Sequence, residues 1–81
     1  MSERLENMGK RAELKVERAR LVTECDSLRS SLRRALPPEE EAANLDRDNI
    51  LNLALALNQS LAELMSIDKK IGVLSDVLGG I

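Results

Sequence analysis

Nine of the ten heptad-spaced positions between Ile50 and Ile81 carry aliphatic side chains. One set is Ile50, Leu57, Leu64, Ile71 and Leu78; the other is Leu53, Ser60, Ile67, Leu74 and Ile81. A repeat of alternating three- and four-residue steps places one continuous apolar stripe on an α-helix. It does not fit the two-residue period of a half-buried strand. Only Ser60 interrupts the stripe, and the neighbouring Leu61 is expected to fill the gap in the core.

The only prolines, Pro37 and Pro38, divide the chain. Pro37 restricts Leu36 and stops a helix that begins near Ser2, a plausible N-cap. Pro38 followed by Glu39, Glu40 and Glu41 reads as a new start, with proline in the first turn and acids against the positive end of the helix dipole. The expected layout is a single all-α domain over residues 1–81: helix 1 over about 2–36, a turn at 36–38, and helix 2 over about 38–78. Gly79-Gly80 is a natural stop. The weakest part of helix 2 is 44–49, rich in Asn and Asp, where a kink or a restart capped by Asp46 or Asp48 would be favoured. A turn this short makes the helices antiparallel. It pairs Cys25 with Ile50, Leu21 with Leu53, Leu14 with Leu61 and Leu5 with Ile71, and leaves helix 2 overhanging from Leu74 onward.

Phe, Tyr, Trp and His are all absent, so the core must be built from Leu, Ile, Val, Ala and Met. The expected core seam on helix 1 includes Leu21, Cys25, Leu28 and Leu32. On helix 2 it comprises Ile50, Leu53, Leu57, Leu61, Leu64, Ile67, Ile71 and Leu74. Towards its N-terminus helix 1 carries a different stripe, Leu5, Met8, Ala12, Val16 and Ala19, on nearly the opposite face. Helix 1 therefore either meets different partners at its two ends or twists irregularly about helix 2.

Helix 2 also has apolar residues off its seam: Leu51, Leu55, Ala62, Met65, Val73 and Val77. Two helices form a thin core, and chains of this size commonly draw further stability from association. Exposed apolar strips of this length mark interfaces. The expectation is a coiled-coil-like hairpin that dimerises into a four-helix bundle and presents a helical surface to another protein. It would be a small adaptor, chaperone or inhibitor rather than an enzyme.

With no His and one Cys, familiar zinc sites, diiron pairs and the His-dependent catalytic triads cannot be assembled in one chain. No Gly-rich phosphate loop is present. Asp46-Arg47-Asp48 lacks the Gly and terminal Glu of a calcium loop, and Glu39–Glu41 read as a solvated helix start. No cofactor is expected. Cys25 lies on an apolar stripe and reads as a small core residue; a disulfide across a dimer axis is the sharper alternative. Asn58-Gln59-Ser60 matches a glycosylation pattern but falls mid-helix. The N-terminal residues contain no apolar run like a signal peptide, and the longest unbroken apolar stretch, Leu53–Leu57, is far short of the roughly 20 residues of a membrane span. These features make a cytoplasmic location, with no membrane partner, the default.

Charge divides between the two halves. Residues 1–36 hold nine Lys/Arg and six Asp/Glu, a net of +3; residues 37–81 hold three and eight, a net of −5. Arg11, Lys15, Arg18, Arg29 and Arg33 define an alternative, a nucleic-acid face gripping phosphates. In architecture such a dimer is similar to Rop, the helical-hairpin protein that binds RNA, and that likeness implies RNA as the ligand. Interleaved Glu13, Glu17 and Glu24, and the lack of any aromatic for base stacking, weigh against it.

Overall fold

The computed structural model describes residues 3–79, so the N-cap expected at Ser2 and the last seam residue, Ile81, lie outside the described part. Two helices, α1 (Glu3–Ala35) and α2 (Arg47–Val77), run antiparallel as a hairpin. Among the described residues there is no strand. The result is a rod with extents of 62 × 16 × 14 Å. The charges at the ends of α1 suit its dipole: Glu3 and Glu6 lie in the first turn, Arg33 and Arg34 in the last.

The connection is longer than the Pro-Pro turn predicts, and α2 begins at Arg47 rather than near 38. Between the helices the backbone closes only three-residue turns. The amide of Glu40 donates to the carbonyl of Pro37 (3.2 Å), that of Asn44 to Glu41 (2.9 Å) and that of Leu45 to Ala42 (3.2 Å). A single 3-10 turn, Ala42–Asn44, is the only regular element there. The Asn44 amide side chain donates to Glu40 Oε1 at 3.0 Å. Asp46 then breaks the path: its backbone is extended and its carboxylate accepts from the Asn49 amide at 3.1 Å. That cap satisfies a helix N–H which has no carbonyl partner, and Asp is among the best residues for it. Leu45 and Ile50, in the positions of a hydrophobic staple around the cap, are both half-buried. The restart foreseen at Asp46 therefore prevails over the start at Pro38. At the far end Gly79 adopts a positive φ of 87°. Its amide donates to the Asp76 carbonyl at 3.1 Å, an ending open to glycine at little cost.

The longer connection changes the register. Three cross-helix side-chain pairs, Arg11–Ser75, Arg18–Asp68 and Glu24–Ser60, fix it; in each the two residue numbers add to between 84 and 86. Cys25 therefore lies at the level of Ser60 rather than Ile50, and Leu21 at the level of Leu64 rather than Leu53. Leu14 faces the turn of Ile71 rather than Leu61. The expected overhang from Leu74 is absent: Ser75 bonds Arg11, and Leu78 is only 3% exposed.

The seam itself keeps strict heptad order on both helices. Leu21 and Cys25 from α1, and Ser60, Ile67 and Leu78 from α2, are buried. Leu28, Leu32, Ile50, Leu53, Leu57, Leu64, Ile71 and Leu74 are half-buried along the same line. Leu61 is not part of it. Ser60 occupies the seam at 4% exposure while Leu61 is 42% exposed. Side-chain direction decides this, because one residue's shift rotates a side chain about 100° off the contact line. The small Ser60 fits opposite the small Cys25, and its hydroxyl donates to Glu24 Oε1 at 3.2 Å. A buried hydroxyl with a partner costs little, whereas an unpaired one would be expensive.

On α1 the seam continues past Leu14 through Arg11 to Asn7, both half-buried, so the N-terminal half neither twists nor repacks irregularly. The stripe of Leu5, Met8, Ala12, Val16 and Ala19 faces away from α2 and is exposed.

Candidate interaction surface

Each helix uses one stripe for the other and leaves a second stripe in solvent. On α2 the exposed large apolar residues are Leu51, Leu55, Leu61, Met65, Val73 and Val77, and Ala62 is exposed among them. At about 100° per residue, Leu51, Leu55, Leu61, Ala62 and Met65 all lie within about 60° of the direction of Asn58. The seam with α1, centred on Leu53, Leu57, Leu64 and Ile67, lies about 130° away around the same helix. Val73 extends the exposed stripe, whereas Val77 lies near its border. Of the expected interaction face, every member is thus in solvent, and the stripe gains Leu61, which had been assigned to the core. The α2 helix is long and apolar enough to cross a membrane by length and composition alone, and 11% of its most apolar 18-residue stretch is buried.

The charged residues around these stripes are mostly engaged. Arg18 Nε and Nη2 donate to the two oxygens of Asp68, a bidentate bridge between the helices with both side chains nearly half exposed. That bond raises the Arg18 pKa above its usual value. Arg20 donates to Glu17 and, at 3.0 Å, to Glu24. The hydrogen bond from Arg20 holds the Glu17 carboxyl below its ordinary range, and Arg20 is raised in turn. Arg29 donates to Asp26 at 3.1 Å. Arg11 reaches Ser75 across the seam.

The residues expected to form a nucleic-acid face do not form one row. Arg11 and Arg18 sit on the seam with α2, whereas Arg29 and Arg33 lie near the connection. There they share a shallow groove of about 760 Å³ with Arg34, Leu32, Leu36 and Leu57. Lys15 is exposed on the outer side of α1. A second open groove, about 700 Å³, follows the other edge of the hairpin between Lys10, Glu13 and Glu17 on one side and Lys69, Lys70 and Val73 on the other. Its charges are mixed, and no Ser, Cys or Thr lines it.

Comparison with known protein families, characterised proteins and solved structures gives no match.

The functional reading therefore rests on this surface alone. Cys25 is a free thiol buried on the α1–α2 seam, in keeping with the core role and away from the exposed stripe. The Asp46 carboxylate caps α2, and that of Glu40 accepts from the Asn44 side chain. Sequence reasoning missed two things. It did not place Asn7, Arg11 and Arg18 on the contact line, although extending the spacing of Leu14, Leu21, Cys25 and Leu28 backwards reaches all three. It also passed over Ser60 in favour of its more hydrophobic neighbour.

Proposed function

We propose that this chain is a non-enzymatic interaction module: the hairpin self-associates through the exposed stripe of α2 into a four-helix bundle and offers the remaining helical surface to another protein. The supporting observation is the stripe itself. Leu51, Leu55, Leu61 and Met65 are each at least 42% exposed on a two-helix rod whose internal core is one side chain wide. An apolar row of that kind, broken only at Asn58, is costly in water, at about 25 cal/mol for each Å² that association would bury. Light scattering on a sizing column, over a concentration series, tests the reading. The expected mass is twice that of the 9.0 kDa chain, and a concentration-independent monomer refutes it.

A second reading, nucleic-acid binding, draws on one observation: Arg29, Arg33 and Arg34 converge on the same groove beside the connection. It requires RNA binding that falls steeply with salt and is lost in an Arg29→Ala, Arg33→Ala double variant. Absence of binding at low salt removes it.

A further inference from the structure

The exposed stripe of α2 is symmetric about Asn58 in the size of its side chains. Centred on Asn58, Leu51 mirrors Met65 seven residues away on the other side. Leu55 and Leu61 stand three residues from the centre, and Ala54 and Ala62 four. All are exposed. We infer that the occupant of this stripe is a second copy of the chain, docked with α2 antiparallel to its counterpart about a two-fold axis through Asn58. The inference rests on the self-association proposed above and deepens it by fixing the partner surface and its register.

A two-fold axis perpendicular to two antiparallel helices brings residues together when their numbers add to about twice 58. Taking the side of the interface into account, Ala54 then meets the partner's Leu61, and Leu55 meets the partner's Ala62, so that each leucine enters the space left by an alanine. Alternating large and small side chains across facing helices is how such surfaces interdigitate. Leu51 and the partner's Met65 close each end of the apolar patch. At the centre, Asn58 meets the partner's Asn58, and two amides can satisfy each other by donating and accepting reciprocally. A polar pair within an apolar seam fixes register, because any slip buries each amide without a partner.

Arg47 and Asp48 stand eleven and ten residues before Asn58, and Lys69 and Asp68 eleven and ten residues after it. In the two-fold pairing Arg47 lies between the partner's Lys69 and the partner's Asp68, the latter already held by Arg18 of its own hairpin, so the border charges do not select the register. Within its own hairpin Arg47 reaches only Asp48, at 3.9 Å, and these side chains are 96% and 88% exposed. They are therefore open to a partner. A lipid surface would need the apolar stripe but not the mirrored placing of its large and small side chains. The α1 contact lies about 130° away around α2, so the second copy docks without displacing α1, and the two α2 helices become the centre of the assembly.

An Asn58→Cys substitution tests the register directly. At a helix separation of about 10 Å and a Cα radius of about 2.3 Å, the two Cα atoms at the axis stand roughly 5 Å apart, inside the range for a disulfide. With oxidised glutathione as oxidant, Asn58→Cys is expected to form a covalent dimer. Asn52→Cys on the same helix is expected to stay monomeric on a denaturing gel, because its two copies lie about 18 Å apart along the axis at 1.5 Å per residue. The buried Cys25 serves as the native background. In parallel, Met65→Lys, at a site 73% exposed in the hairpin, is expected to weaken the dimer about tenfold or more while helical signal is retained. A native dimer that cross-links at position 58 and not at 52 supports the pairing. A native dimer with no cross-link at 58 overturns this pairing and leaves self-association standing. A native monomer overturns both, whether or not it floats with vesicles of phosphatidylcholine and phosphatidylglycerol.

Discussion

Among the described residues Leu21 is the one large side chain with no exposed surface, and its truncation measures how much of the fold rests on the α1–α2 seam. It sits at mid-rod, one turn from Cys25 and level with Leu64. Leu→Ala in a packed core costs about 2.7–5.0 kcal/mol, depending on how far the site collapses. A two-helix seam is open along both edges and closes on a void more easily than a globular core. The expected loss therefore falls at the lower end, about 3 kcal/mol. For 81 residues the total stability expected at roughly 0.05–0.15 kcal/mol per residue is about 4–12 kcal/mol, so one substitution removes a large share. In a domain of this size about 1 kcal/mol moves the melting temperature by roughly 4–8 °C, which predicts a drop of about 12–24 °C. Val16, on the same helix and 72% exposed, supplies the control. Val16→Ala is expected to change stability by less than about 0.5 kcal/mol, since it loses little buried area and gains helix propensity. The assay is circular dichroism at 222 nm, with thermal and urea unfolding of both variants at one fixed concentration, because association makes melting concentration-dependent. Equal effects of Leu21→Ala and Val16→Ala would refute the assignment of the seam.

Further outcomes follow from the local contacts. Asp46→Ala removes the cap of α2 and is expected to cost about 1 kcal/mol; unchanged urea unfolding would show that the helix does not depend on that start. The Arg18–Asp68 bridge is well aligned but nearly half exposed, so a double-mutant cycle with Arg18→Ala and Asp68→Ala should give a coupling of about 0.2–1 kcal/mol that shrinks in salt. Because Arg20 holds Glu17 below its ordinary value of 4.5, the contribution of that pair is present above pH 4.5 and lost as pH falls through the lower folded value. Glu17→Gln should accordingly flatten the acid limb of the melting-temperature profile between pH 5 and 2, as read by thermal scans (a profile identical to wild type would contradict it).

Some features of this protein are legible from local sequence. Two helices follow from the absence of any alternating strand pattern, the aliphatic heptad of residues 50–78 and the proline pair that ends the first helix. The exposed apolar residues of α2 could also be named in advance, because a helix with one neighbour can bury only one stripe, and this chain has two. The helix start was ambiguous because Pro38-Glu39-Glu40-Glu41 and Asp46 are both good N-terminal signals of similar energy, and only the backbone of residues 36–46 shows which one wins. That choice moved the pairing of the helices by about ten residues, since in a hairpin the connection length alone sets the register. Ser60 displaced Leu61 for a related reason. Hydrophobicity ranks leucine higher, but the direction of the side chain on the helix and the presence of Cys25 and Glu24 opposite decide which residue reaches the seam. Arg11 and Arg18 look like surface charges in the linear sequence, yet they lie on the contact line because Ser75 and Asp68 come within their reach only once the hairpin has closed.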